Sequence, residues 1–143
     1  MREVKSESKV QFFATAGFGE TALAERHYHQ AVRIGDRVEI SGQGGWDDYL
    51  NFPAELPAEI AQAFDNVERT LAAAGASWRD VVHVNTYHVL TADADFEVHN
   101  ALVIDQMRTR MPDRAPIWTE TGVTALGAPQ MRFEIRVTAV IEN

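Results

Sequence analysis

Hydrophobic residues recur at helical spacing in two segments of the chain, and the clearer of the two covers residues 57–75. The pattern places four hydrophobic side chains on one helical face: Ile60, Phe64, Val67 and Leu71. Pro57 suits the first turn, where a missing backbone N–H costs no hydrogen bond, and Gly75 suits the position just past the helix end. The segment is therefore predicted to form an amphipathic helix.

The second segment, residues 93–111, has the same spacing and its own end signals. Asp93 or Asp95 lies near its start, and arginines in its last turn precede Pro112. Its hydrophobic stripe is formed by three residues: Phe96, Val103 and Met107. These features predict a second helix.

Around the helices, hydrophobic and polar residues alternate as they do in β-strands. Residues 30–42 form two such runs separated by Gly35 and Asp36, a pair that can adopt the positive φ of a hairpin turn. Residues 131–141 alternate cleanly, whereas residues 114–127 read as an exposed edge strand or a loop. A hairpin and a C-terminal strand are predicted.

Residues 80–90 are predicted to form a further strand with apolar residues on both faces. One face is expected to carry Val82, Val84, Thr86 and His88. The other face is expected to carry Val81, His83, Asn85, Tyr87 and Val89. Such a strand belongs in a sheet that is covered on one side and partly buried on the other.

The predicted order is strand, strand, helix, strand, helix, strand, strand, which indicates a two-layer α+β domain with two helices on one face of a mixed β-sheet. A single domain spanning residues 1–143 is expected, with one long loop at residues 44–56. The face without helices includes the apolar positions Val81 and Val89. Because an apolar face needs cover, association with other copies of the chain is expected.

The composition restricts the classes of function. The chain has 143 residues, a formal net charge of -8 and a pI near 5.0, whereas nucleic-acid binding by phosphate neutralisation requires a basic face. There are no cysteines, so disulfides, thiol nucleophiles and thiolate metal sites are excluded. The histidines do not converge in a metal-ligand pattern, so no metal site is predicted.

The N-terminus and the hydropathy of the chain bear on its location. The first ten residues are charged where a signal peptide is apolar. No segment reaches the roughly 18 to 20 apolar residues that are needed to span a bilayer. A cytoplasmic protein without a membrane partner is therefore expected.

Four segments, taken together, resemble the RidA/YjgF family and follow its order along the chain. They are "HYHQAVRIGDRVEISGQGG", "AFDNVERTLAAAGASWRDVVHVNTYHV", "DFEVHNAL" and "MRFEIRVTAVI". The resemblance covers roughly residues 28 to 141 and implies a chorismate-mutase-like fold and a homotrimer with small-molecule sites in the clefts between subunits. In the best-known members these sites hydrolyse reactive enamines and imines to keto acids and ammonia, without a cofactor.

The resemblance also implies which residues form the site. Tyr28, Ser41, Asn100 and Glu134 fall on the tyrosine, serine, asparagine and glutamate of the family's motifs. Trp118 falls where the deaminating members have the arginine that binds the substrate carboxylate. The chain therefore resembles a branch of the family that lacks this arginine.

The replacement changes what the site is expected to bind. A guanidinium holds a carboxylate through two charge-assisted hydrogen bonds, whereas an indole offers one N–H and an apolar face. If residues alternate along the strand, Glu120 lies on the same side as Trp118 and could share the cleft with Glu134. Such a site would prefer neutral, aromatic or cationic ligands, unless Arg132 or Arg136 replaces the missing arginine.

Three functions follow as hypotheses, in decreasing order of support. The first is a cofactor-free enzyme acting on a small imine, enamine or carbonyl compound, in which Glu134 handles a proton or positions water, Tyr28 hydrogen-bonds the substrate and Trp118 stacks on it. The second is a metabolite-binding trimer without catalysis, with Trp118 at either the ligand or the subunit interface. The third is an endoribonuclease, which the acidic charge disfavours. The segments 44–52 and 115–121 are expected to determine specificity.

Overall fold

A computed structural model of the protein describes residues 9–142. The strands are β1 (Val10–Phe13), β2 (Ala31–Ile34), β3 (Arg37–Ile40), β4 (Val81–His88), β5 (Ile117–Gly122) and β6 (Phe133–Val140). The helices are α1 (Phe18–Arg26), α2 (Leu56–Ala73) and α3 (Phe96–Arg110), with a 3₁₀ turn at Trp78–Asp80. The signal-peptide interpretation concerns the N-terminal residues, of which 1–8 lie outside the described residues.

The strands form one mixed sheet in the order β1-β2-β3-β6-β4-β5. All neighbouring strands are antiparallel except β4 and β5, which are parallel and are joined through α3. The predicted two-layer α+β fold is confirmed, with α2 and α3 packed on the sheet. None of the helices in residues 9–142 is long and apolar enough to cross a membrane.

The two predicted helices begin and end close to where their sequence signals lie. Pro57 is in the first turn of α2, and Gly75 follows its end with φ 83°, which glycine adopts without a side-chain clash. The side chain of Asp95 caps α3 by accepting a hydrogen bond of 3.1 Å from the backbone N–H of Val98. The predicted hydrophobic face of α2 is fully buried: Ile60, Phe64, Val67 and Leu71.

Two elements, β1 and α1, were not expected from the sequence. Most side chains of α1 are polar or small, and its only buried residues are Phe18 and Gly19, so it has no hydrophobic stripe to detect. Tertiary contacts hold this helix in place. The guanidinium of Arg69 on α2 lies 4.9 Å from the ring centroid of Phe18 and donates a hydrogen bond of 2.7 Å to the carbonyl of Ala16.

The assignment of Val81 to the open face of the sheet was wrong. A bulge between Val81 and His83 shifts the register of β4 against β6, and an extra residue in a strand moves the residues before it to the other face. Val81 is therefore buried in the core with only 1% of its surface exposed. After the bulge, the residues of β4 lie on the faces that were predicted for them. Val84, Thr86 and His88 are fully buried beneath the helices.

The face of the sheet opposite the helices is open in the single chain. Across β6 and β4 this face is polar and includes Glu134, Arg136 and Asn85. At the β1–β2 end it exposes large hydrophobic side chains: Val10, Phe12, Ile34 and Val140. Such a patch is typical of a surface that binds another protein molecule.

Candidate functional site

Glu134 and Tyr28 line the same pocket, which lies at one end of the open face of the sheet. The pocket has a volume of about 240 Å³. One wall is α1, a second is the loop that contains Trp46, and Gln30 lies beside the two predicted residues. Thus two of the residues implied by the family resemblance, which are 106 positions apart, meet in one cavity.

The carboxylate of Glu134 is unusual because it is half-buried and has no hydrogen bond or ion pair with any residue of the described part of the chain. Burial raises the pKa of its carboxyl group above the ordinary value. Gly42 gives it room, since a Cβ at this position would lie 2.7 Å from Glu134 Cδ. An unpaired carboxyl with a raised pKa holds a proton more readily than an ordinary glutamate, which suits it to general acid–base chemistry.

Tyr28 lines both this pocket and a neighbouring surface depression, and Ser41 lines the depression. His27, with φ 59°, ends α1 in the left-handed conformation and turns the chain toward Tyr28. Ser41 Oγ donates a hydrogen bond of 2.8 Å to the carbonyl of His29. The hydroxyl of Ser41 therefore orders the segment that carries Tyr28.

Trp118 and Glu120 lie on the opposite face of the sheet from Glu134. In the register of β4, Tyr87 pairs with Glu134, whereas Thr86 pairs with Glu120, and consecutive residues of a strand point to opposite faces. The expectation that Glu120 and Glu134 share one cleft is therefore not met within a single chain. Alternation along β5 correctly placed Trp118 and Glu120 on the same face of the sheet. Only the pairing of β5 with β4 shows that this face is the helix-covered one.

The indole of Trp118 is held within the chain. Its Nε1–H donates a hydrogen bond of 2.9 Å to Thr86 Oγ1, and its ring packs against the main hydrophobic core. Because the indole has only this one polar hydrogen, it has none left for a ligand. Any contact of Trp118 with a ligand would have to use the exposed part of the ring.

Asn100 belongs to the same side of the molecule as Trp118. It lies one helical turn after Phe96 on α3, and residues four apart share a helical face. The ring of Phe96 is close to Gly122 at the end of β5, because a Cβ there would lie 3.2 Å from Phe96 Cζ. The side-chain oxygen of Asn100 is buried without a hydrogen-bond partner among residues 9–142.

Two buried histidines, which were not among the predicted site residues, connect α3 to β4 beneath Trp118. His88 Nδ1 is 3.0 Å from His99 Nδ1, and His88 Nε2 is 2.7 Å from Thr86 Oγ1. One Nδ1 must donate and the other accept, so at least one of the two rings is neutral in this arrangement. Burial, and then the neighbouring His99, lower the pKa of His88 to about 4, and burial also lowers the pKa of His99.

The histidine pair predicts a pH-dependent stability. An unfolded histidine binds a proton near pH 6.5, whereas folded His88 stays neutral down to about pH 4. As the pH falls between these values, the unfolded state takes up a proton that the folded state does not, so the free energy of unfolding should fall by on the order of 3 kcal/mol. Urea unfolding measured from pH 4 to pH 7 tests this.

The control for the pH dependence is the variant His88→Asn, whose amide can still bond to His99. Its absolute stability is expected to be lower, but the slope of the unfolding free energy between pH 4 and pH 6.5 should become shallower. If the variant keeps the slope of the native protein, the histidine pair does not cause the pH dependence.

The arginines that were candidates to replace the missing family arginine are already paired. Arg132 Nε is 2.8 Å from Glu59 Oε1, and a nitrogen of the Arg136 guanidinium is 3.6 Å from Glu39. In contrast, Arg26 at the end of α1 lines the Glu134 pocket and makes no ion pair or hydrogen bond with the described residues. Glu25 lines the same pocket, so its rim carries one charge of each sign.

Within residues 9–142 there is no cluster of three or more histidine, aspartate or glutamate side chains that could hold a metal ion. The side chains that line the Glu134 pocket include no histidine. The polar side chains that line it carry carboxylates, a phenol, a hydroxyl, amides and a guanidinium.

Comparison with known proteins assigns the family. The family described as Endoribonuclease L-PSP matches residues 19–141. The RutC family protein YjgH of Escherichia coli (strain K12) is 33% identical over 118 residues, which cover 82% of this chain and 86% of that protein. A 2-iminobutanoate/2-iminopropanoate deaminase of Dermatophagoides farinae is 33% identical over 117 residues, covering 80% and 86%.

The fold leads to the same family. A solved structure of protein YjgH superimposes with a TM-score of 0.77 at 30% identity, covering 92% of this chain and 95% of that one. The structure of RidA from an Antarctic Psychrobacter species gives a TM-score of 0.71 at 28% identity, covering 94% and 100%. The chain belongs to the RidA/YjgF family of chorismate-mutase-like α+β proteins.

Proposed function

We propose that the protein is a cofactor-free enzyme that hydrolyses a small imine or enamine, or acts on a related carbonyl compound. The observation that carries the proposal is the unpaired, half-buried carboxyl of Glu134, whose pKa is raised by burial, beside Tyr28 in a pocket of about 240 Å³. The name of the Dermatophagoides farinae relative, an iminobutanoate and iminopropanoate deaminase, supports the same reaction class.

The proposed reaction adds water across a C=N bond. Glu134 accepts a proton from the water as the water oxygen bonds to the imine carbon, and the imine nitrogen takes up a proton from solvent. The resulting aminoalcohol then collapses: Glu134 returns its proton to the leaving nitrogen, the hydroxyl proton passes to solvent, and the C–N bond breaks to release ammonia and a carbonyl compound. The Tyr28 hydroxyl hydrogen-bonds the substrate.

A complete site is proposed to form only between subunits of a homotrimer. Within one chain, Tyr28, Ser41 and Glu134 lie on the open face, whereas Asn100, Trp118 and Glu120 lie on the helix side of the β5 edge. The two groups can meet when the edge of one subunit lies against the open face of the next. The exposed hydrophobic side chains at the β1–β2 end of this face support such an association.

The activity can be tested with imines generated in the assay mixture by an amino-acid oxidase acting on a panel of amino acids. We expect ammonia release above the spontaneous rate for at least one imine, and a lower rate for those with small side chains because the family arginine is replaced by Trp118. Saturable binding of the products without turnover of any imine would identify a metabolite-binding protein instead. RNA cleavage that is abolished by Glu134→Gln would favour the endoribonuclease.

A further inference from the structure

The Glu134 pocket has an apolar recess whose wall residues were not among the predicted site residues. Its walls are Phe18 and Ala22 on α1, Trp46 and Phe52 in the loop between β3 and α2, and Met131 before β6. The aromatic rings contact one another edge to face, with centroids 6.0 Å apart for Phe18 and Trp46 and 6.3 Å apart for Trp46 and Phe52. The recess is thus lined by side chains that pack against one another, and three of them, Phe18, Trp46 and Met131, are buried.

The size of the cavity fits an organic side chain. Its volume is about 240 Å³, and an apolar cavity of roughly 150 Å³ is enough to hold benzene. A phenyl group in the recess would leave space for a few further atoms, which would lie toward Glu134 and Tyr28. The cavity therefore accommodates a reacting C=N or C=O group and a large apolar substituent together.

Leu50 provides an independent sign that this wall serves a ligand. It has φ 65° and is 45% exposed, although it lines the pocket. A non-glycine residue in this conformation costs about 1 to 3 kcal/mol and persists only where its surroundings hold it. Asp47 holds this turn in place, because its Oδ1 accepts hydrogen bonds of 2.9 Å from the backbone N–H groups of Tyr49 and Asn51.

Glycine would adopt this turn without strain, so stability alone does not explain a leucine there. An exposed leucine that also lines an aromatic cavity gains contacts when an apolar group enters it. Leu50 is thus placed to close over the open side of the recess.

We infer that the recess is a specificity subsite for a phenyl-sized or branched aliphatic group attached to the reacting carbon. The inference rests on the proposed function and names the substrate class: imines and carbonyl compounds with a large apolar substituent. The rim carries Glu25 and Arg26 with opposite charges, so selection among apolar substituents comes from the apolar wall.

The test compares pyruvate and phenylpyruvate, which share the keto and carboxylate groups and differ by a phenyl ring. Burial of a phenyl group in the recess should make phenylpyruvate bind about 10- to 100-fold more tightly, as measured by calorimetry or ligand-observed NMR. Ala22→Trp fills the recess and should remove this preference, so that the two compounds bind with similar affinity. Ala24→Trp on the exposed side of α1 is the matched control and should keep the preference.

A second variant keeps the proposal testable if Ala22→Trp does not fold. Leu50→Gly removes the side chain and the backbone strain together, so it should reduce the preference for phenylpyruvate while leaving the unfolding free energy unchanged or higher. Equal affinities of the native protein for the two compounds, or equal effects of the two tryptophan variants, would overturn the subsite. A preference without turnover of any imine would overturn the proposed reaction and leave the subsite standing.

Discussion

Replacing Glu134 by glutamine is expected to lower the turnover of an accepted imine by roughly 10²- to 10⁴-fold, the usual contribution of general acid–base catalysis. Glutamine keeps the shape of the side chain and loses its charge and its ability to accept a proton. Binding of the product should change little. The comparison of kcat and KM in steady-state assays therefore separates a role in the reaction from a role in binding.

The stability of the Glu134→Gln variant distinguishes a catalytic from a structural glutamate. The carboxyl group of Glu134 makes no hydrogen bond or ion pair within residues 9–142, and a half-buried charge without a partner destabilises the folded state. The variant should therefore be as stable as the native protein, or more stable, at neutral pH. Glu97→Gln, on the exposed side of α3, is the matched control and should retain activity. A fully active Glu134→Gln variant would contradict the proposal.

The pH dependence provides a second check on the same residue. Because burial raises the pKa of Glu134, a reaction that needs its ionised form should lose activity on acidification at a higher pH than an ordinary glutamate would cause. This acidic limb should be absent from the residual activity of Glu134→Gln. An unchanged acidic limb in the variant would assign it to another group.

Mixing subunits tests whether the site is shared between chains. Glu134→Gln and Asn100→Ala alter different halves of the proposed site, so a trimer that contains both kinds of subunit can still form an interface with Asn100 and Glu134 intact. Co-expression should restore part of the activity that each variant lacks alone, and light scattering should give the mass of three chains. A monomer, or a mixture that stays inactive, would place the whole site within one chain.

The helices α2 and α3 could be predicted because their signals are local. Residues of the buried face recur every three to four positions, and Gly75 and Asp95 act within one turn of the helix ends. The helix α1 has no such signal, since its position depends on contacts of Phe18 with Trp46 and Arg69. The aromatic residues in segment 44–52 were the one indication that an apolar wall lies near the site.

Two of the predicted site residues lie together in the structure, but the arrangement of the others could not be predicted from the sequence. Tyr28 and Glu134 meet in one pocket, in agreement with the family motifs. The orientation of Trp118 and Glu120 depends on how β5 pairs with β4, and that pairing links residues about 34 positions apart. The alternation of residues along β5 does not show which strand β5 pairs with or in which register. The face of Val81 was missed for a related reason, because the bulge in β4 is set by its pairing with β6.

Replacing Arg132 by methionine is expected to lower the free energy of unfolding by about 3 to 5 kcal/mol, the usual cost of leaving one partner of a buried ion pair uncompensated. Glu59 on α2 is fully buried. Its two carboxylate oxygens accept hydrogen bonds of 2.8 Å from the backbone N–H and from Nε of Arg132. The same guanidinium donates a hydrogen bond of 3.1 Å to the carbonyl of Ala54. The Glu59–Arg132 pair therefore connects the end of the 44–56 loop with the residue before β6.

The double variant Glu59→Gln, Arg132→Met is the control, measured by urea unfolding at pH 7. Glutamine is neutral and its side-chain oxygen can still accept the backbone N–H of residue 132, so most of the stability lost in Arg132→Met should return. A single variant as stable as the native protein would show that Glu59 reaches water or another cation. In that case Arg132 would again be a candidate to replace the missing family arginine.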